Sequence, residues 1–149
     1  MQIQRRGDGH HDWTLYEGEG RVGIEWYFPD ATALGAQVML YHLAPGASEG
    51  EHRHLTGAAD SCSSDSSDEM YVVTAGEIVF TADGVDRVLR AGDGAYAPAG
   101  MVHGVRNASD APAELVLIFG PPTTARSTTA PPAAPPTTAP PIAAPEETP

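Results

Sequence analysis

Two histidines at alternate positions, His52 and His54, are the first residues whose types and spacing could do chemistry. Successive side chains of an extended strand point to opposite faces, so both imidazoles would project from one face. The pair alone also fits two exposed polar side chains, and its meaning depends on what converges on it. Glu69 opens an apolar stretch after a long polar one, and His103 follows the Pro98-Ala99-Gly100 turn. A carboxylate and a third imidazole sit badly among apolar strands unless each has a partner, and a metal ion satisfies both. Three neutral imidazoles and one carboxylate suit Fe(II), Zn, Mn, Ni or Cu and leave positions for water, oxygen or substrate. One divalent transition metal is the expected cofactor, and the ligand set does not choose among these ions.

Around these residues, Tyr41 shares a strand face with Met39 and Leu43, and Tyr71 and Val73 share the face of Glu69. They are read as lining the pocket, either as core packing or, for Tyr41, Tyr71 and Glu69, as catalytic groups that move protons. Phe80, Tyr96 and Phe119 are expected to fill the interior. Arg53, between the two histidines, should point outward. Cys62 is read as inert, its thiol held protonated by the neighbouring Asp60 and Asp65. His10 and His11, in a polar N-terminal stretch, are read as exposed rather than metal-bound.

The elements that must position these side chains are strands. Sixteen Gly and fourteen Pro among short apolar runs favour a turn-rich all-β chain. Strands are predicted at Trp13–Tyr16, Val22–Phe28, Leu34–Leu43, Glu69–Thr74, Glu77–Thr81, Arg87–Arg90, Gly94–Pro98, His103–Asn107 and Glu114–Phe119, with Asp83-Gly84 the strongest hairpin signal. The 149 residues suffice for one ordinary domain. Residues 1–33 are read as strands flanking a barrel, 34–120 as the barrel, 55–68 as a Ser/Asp-rich surface loop or lid within it, and 121–149 as a disordered tail. That tail holds ten of the fourteen prolines.

All eight basic residues are Arg, against 20 carboxylates and a formal charge of -12. The absence of Lys excludes a lysine Schiff base on this chain. The charge argues against nucleic acid and anionic membrane as partners. A polar N-terminus and a lone Cys62 fit a cytoplasmic protein.

The spacing of the site residues resembles the cupin family. Gly46, His52, His54, Glu69 and Gly76 match the fixed letters of its first motif, and Gly92, Pro98, Gly100, His103 and Asn107 match its second without a gap. One departure stands out, because fourteen residues separate His54 from Glu69 where the family has three or four. Either the loop is extended or the fourth ligand is Asp65 or Asp68; the intact Glu69-x6-Gly76 half favours extension. The resemblance spans about 40–119 and implies a jelly-roll β-barrel, commonly a homodimer. It further implies a metal-dependent enzyme for a small-molecule substrate, either a dioxygenase or a non-redox isomerase, cyclase or lyase, such as a tailoring enzyme of secondary metabolism. A non-catalytic metal- or ligand-binding protein is the alternative.

Overall fold

Alternating apolar and polar residues between turn signals produce ten strands in the computed structural model, which describes residues 1–122. They are β1 (His10–Trp13), β2 (Val22–Tyr27), β3 (Gln37–Leu43), β4 (Ser48–His52), β5 (Asp68–Ala75), β6 (Glu77–Ala82), β7 (Val85–Arg90), β8 (Gly94–Ala97), β9 (His103–Arg106) and β10 (Ala113–Gly120). Among the described residues there is no helix, and hence none long and apolar enough to cross a membrane. Most of the segment read as a disordered tail, from residue 123 onward, lies outside the described residues.

The strands form two antiparallel sheets, one in the order β1-β2-β3-β10-β5-β8 and one in the order β4-β9-β6-β7. The all-β, jelly-roll expectation therefore holds. The segment ahead of residue 34 contributes β1 and β2 to the larger sheet, with β1 at its edge. The two inner faces meet through Ile24, Leu43, Tyr71, Val73, Leu115 and Leu117 on one side and Ile78, Phe80 and Val105 on the other. The period of two is plain on β5, where Glu69, Tyr71 and Val73 are buried while Met70 and Thr74 are exposed.

Several boundaries differ from the sequence-based expectation. The first strand ends at Trp13 because Tyr16 and Glu17 adopt left-handed backbone conformations, φ 48° and 61°, which turn the chain inward. Strand β4 stops at His52, so His54 lies two residues past it, although both imidazoles are buried. Tyr96 is 56% exposed rather than interior, because on β8 the alternation turns Ala97 inward. The Asp83-Gly84 turn joins β6 to β7 with both residues at positive φ, as a tight two-residue hairpin requires.

Asn107 closes the end of the barrel nearest the Ala44–Ala47 turn. Its side-chain amide donates to the carbonyls of Leu43 (2.9 Å) and Ala111 (2.8 Å), and its Oδ1 accepts from Ser109. Its backbone also pairs with Gly46 and Ala47. Replacing Asn107 with alanine removes that donor from a fully buried site and should lower stability by about 2 kcal/mol. A urea unfolding curve would show a lower midpoint at unchanged slope; an unmoved midpoint would contradict the role.

Candidate metal centre

The site forms because three imidazoles are delivered to one inward-facing carboxylate. Glu69, second residue of β5, lies across from Ala97 on β8 and Phe119 on β10. His103 opens β9, opposite His52 at the end of β4. Nε2 of His103 stands 2.8 Å from Glu69 Oε2, Nε2 of His54 3.0 Å from Glu69 Oε1, and Nε2 of His52 3.9 Å from Glu69 Oε2. All four side chains are buried.

The far side of each ring is held. Nδ1 of His52 donates to the Gly50 carbonyl and Nδ1 of His103 to the Met101 carbonyl, both at 2.9 Å. His54 Nδ1 meets Ser63 Oγ at 3.0 Å. A backbone acceptor on Nδ1 fixes the ring and turns Nε2 toward the centre, the arrangement that metal-binding histidines use. Burial pushes the His52 imidazole down to about 4, with the His103 and His54 rings contributing in the same direction, so it is neutral at physiological pH. Its Nε2 is buried and has no hydrogen-bond partner among the described residues. A neutral, oriented, unpartnered nitrogen beside a carboxylate and two more Nε2 atoms fits a divalent transition ion. His52, Glu69 and His103 place one ligand atom each within 4.8 Å of one another.

Burial alone would raise the Glu69 carboxyl, but hydrogen bonds from His103, His54 and Tyr71 outweigh it and hold the group well below the usual carboxylate range. Glu69 is thus an anion in the barrel interior. The fourteen-residue loop does not displace it, because its position is set by β5 rather than by the loop. Asp68, one of the alternatives, has both oxygens engaged elsewhere, accepting from Ala99 N–H (2.9 Å) and the Tyr96 hydroxyl (2.7 Å). Asp65 lies on the loop, in the wall of the neighbouring cavity.

A second layer was not foreseen from sequence. Glu49 is buried with Oε1 3.8 Å from His52 Nε2, and burial, reinforced by the charge of Glu69, pushes its carboxyl well above the ordinary value. Tyr71 hydroxyl lies 2.5 Å from Glu69 Oε2 and 3.2 Å from Glu49 Oε2. A phenol donates only one proton, so the geometry reads as Glu49 donating to Tyr71 and Tyr71 donating to Glu69. Tyr16 stacks on the His52 ring with centroids 3.8 Å apart. The signal that could have found this layer is Gly50, where a Cβ would stand 1.9 Å from the Tyr16 carbonyl oxygen. Only glycine lets the two segments approach so closely.

Tyr41 is buried in the wall shared with the neighbouring cavity, its phenol raised by burial and by Glu49 and Glu69. Cys62 is not remote, since its Sγ lies 3.2 Å from His54 Nδ1. Its thiol is raised chiefly by burial, with Glu69 and Glu49 adding, rather than by the adjacent aspartates. Asp60 instead pairs with Arg53, which points outward as expected.

Comparison with known proteins adds the family. The cupin-domain family model matches residues 39–119. No curated protein matches the chain in sequence. Among solved structures, a predicted oxalate decarboxylase of Thermotoga maritima is similar with a TM-score of 0.68 and 23% identity, over 80% of this chain and 97% of that one. A Cupin 2 conserved barrel domain protein of Salinispora arenicola gives 0.61 and 22%, over 80% and 88%. A sugar phosphate isomerase from a cupin superfamily, of Silicibacter pomeroyi, gives 0.55 and 25%, over 66% and 59%.

Two outcomes test the site. Glu69→Ala should reduce metal retained through purification, measured by elemental analysis, by more than Asp65→Ala or Asp68→Ala; the reverse order would move the fourth ligand into or beside the loop. The raised Glu49 carboxyl favours folding fully below its ordinary value of 4.5 and loses that contribution as pH rises toward its folded value. The depressed His52 works oppositely, but its contribution is complete above 6.5. Above its ordinary value of 4.5 the raised Glu49 carboxyl therefore works against stability as pH rises, and metal-free Glu49→Gln should be less destabilised by rising pH than metal-free wild type in chemical denaturation; the same pH dependence in both would contradict the assignment.

Proposed function

This chain belongs to the cupin family, and we propose that it is a metal-dependent enzyme acting on a small, largely apolar organic molecule. The observation that carries this reading is the cavity beside the centre. It has a volume of about 590 Å³, and Trp13, Trp26, Met39, Tyr41 and Phe119 contribute to its walls. His54, which faces Glu69, also lines it, so a molecule bound there reaches the ligand set. Ser63, Asp65, Ser66 and Ser67 of the extended loop supply its polar edge. Among the described residues no arginine lines the cavity, and the chain has no lysine, so the sugar phosphate named for one structural neighbour is not carried over to this chain.

His52, His54, Glu69 and His103 would hold the ion. When bound, the ion would supply Lewis acidity toward a carbonyl, enolate or phenolate, or, as Fe(II), oxygen chemistry. The remaining work falls to the chain. Tyr71, linked to Glu49 and Glu69, is placed to pass a proton at its hydroxyl, and Glu49 is the store that replenishes it. Tyr16 covers the His52 ring and keeps water from that side. Tyr41 offers a second phenol at the cavity wall. The reaction is either of dioxygenase type or a non-redox isomerisation, cyclisation or elimination, such as a tailoring step in secondary metabolism. We place it in a cytoplasmic homodimer, with a small molecule as its partner; the lone cysteine, which can form no disulfide within the chain, supports a reducing compartment.

The test is turnover. Metal-loaded protein incubated with phenolic and keto-acid compounds should consume substrate, with oxygen uptake separating the redox class from the non-redox class. His103→Ala should abolish turnover, and Tyr71→Phe should slow it by about 10²-fold while retaining metal. Saturable binding without turnover for every compound would favour the non-catalytic alternative.

A further inference from the structure

The outer face of the larger sheet holds a second constellation, unconnected with Glu69. His10 on β1 is paired directly with Glu25 on β2, and Gly23 on β2 is paired with both Asp12 on β1 and His42 on β3. Ile24 and Tyr41, which alternate with these positions, point into the core, so Glu25, Gly23 and His42 share the opposite face. The His10 ring lies over Gly23. A Cβ at that position would stand 2.7 Å from His10 Cε1 and 3.3 Å from the His42 Cβ, so the missing side chain is the cradle in which the two rings approach, centroids 5.7 Å apart.

Glu25 is only 2% exposed. Its Oε1 meets His42 Nε2 at 2.9 Å, while its Oε2 is buried without a hydrogen-bond partner among the described residues. Burial opposes the charge on this carboxyl but is outweighed, the Gly7 backbone N–H, which makes no hydrogen bond of normal geometry to it, acting with His42 and Arg6 to hold it below its ordinary value. The other nitrogen of His42, Nδ1, lies 3.1 Å from Glu114 Oε1, and Glu114 pairs in turn with Arg6. A carboxylate behind the far nitrogen of a histidine is the usual support of a metal-binding imidazole. One ligand atom each from His10, Glu25 and His42 lies within 4.8 Å of the other two. Asp12, with Oδ1 3.2 Å from His10 Nε2, stands at the exposed side.

We infer that His10, Glu25 and His42 form a second metal site, for a divalent transition ion of zinc type, that clips the edge strand β1 onto β2 and β3. A purely structural ion-pair chain from Glu25 through His42 to Glu114 accounts for Oε1. It leaves Oε2 without a partner and gives no reason for His10 to sit in the Gly23 cradle. Two imidazoles and a carboxylate, with water or Asp12 as fourth donor, match the preferences of such an ion. A proton must lie between His42 Nε2 and Glu25 Oε1 in the metal-free protein; the ion takes its place and the proton is released. His10 is exposed, as the sequence reading has it; what local sequence does not show is its company, because Glu25 and His42 lie 15 and 32 residues away on other strands.

The test uses untagged full-length chain, stripped with chelator and titrated with Zn²⁺ by calorimetry, with thermal midpoints recorded alongside. Wild type should bind two equivalents. His10→Ala, an exposed position whose loss leaves the core intact, should bind one and lose the part of the zinc-induced rise in midpoint that comes from the outer site. The double variant His52→Ala/His103→Ala should keep the outer equivalent, and adding His10→Ala to it should remove that equivalent. Glu114→Gln should weaken the outer equivalent by about 10- to 100-fold. A single equivalent in wild type that survives His10→Ala, or a second equivalent unaffected by His10→Ala, would overturn the site.

Discussion

An ionised carboxylate in the middle of the barrel is the constraint on which the rest depends. Glu69 lies among buried side chains where an isolated charge would cost several kcal/mol. It is sustained by two imidazole Nε2 atoms and the Tyr71 hydroxyl, each within 3.0 Å. The fold answers that demand from both sheets. β5 carries the carboxylate and Tyr71, β9 brings His103, and β4 with the residues after it brings His52 and His54. One nitrogen, Nε2 of His52, is left over, and this leftover atom is what makes the cluster fit a metal ion rather than a closed set of ion pairs.

Around that cluster the imidazoles are held from behind. Backbone carbonyls of Gly50 and Met101 fix two of the rings, so their aim does not depend on mobile side chains. Glu49 and Tyr71 form a hydrogen-bonded line running back from Glu69. On the other side the extended loop is knit to itself, Thr56 and Ser66 exchanging backbone-to-hydroxyl bonds in both directions and Ser61 capping Leu55. That loop contributes Ser63 to His54 and four residues to the cavity edge. It is therefore a part of the site wall, built from the same residues that look like a low-complexity insertion.

What was legible in the sequence is what depends on local spacing. The His52-x-His54 pair, the ungapped Gly92-to-Asn107 run and the Asp83-Gly84 hairpin each express a short-range geometric rule. Glu69 could be placed despite the loop because the alternation of β5 fixes its face. What was not legible depends on contacts between distant segments. Tyr16 reaches His52 only through a left-handed turn that propensity does not announce, and Glu49 is distinguished from its acidic neighbours solely by burial. Tyr96 was misplaced for the opposite reason, since an aromatic residue suggests a core position and the period-two register decided otherwise. His10, Glu25 and His42 are unremarkable in sequence and meet only because three strands are in register.

The most direct measurement of the central claim is a crystal structure of the native protein with anomalous diffraction collected at the absorption edge of the metal it retains. The account predicts an anomalous peak inside the barrel within about 2.0–2.3 Å of Nε2 of His52, His54 and His103 and of a Glu69 oxygen. A fully ordered barrel with Glu69 still bonded directly to His54 and His103, and no peak between them after metal loading, would contradict it.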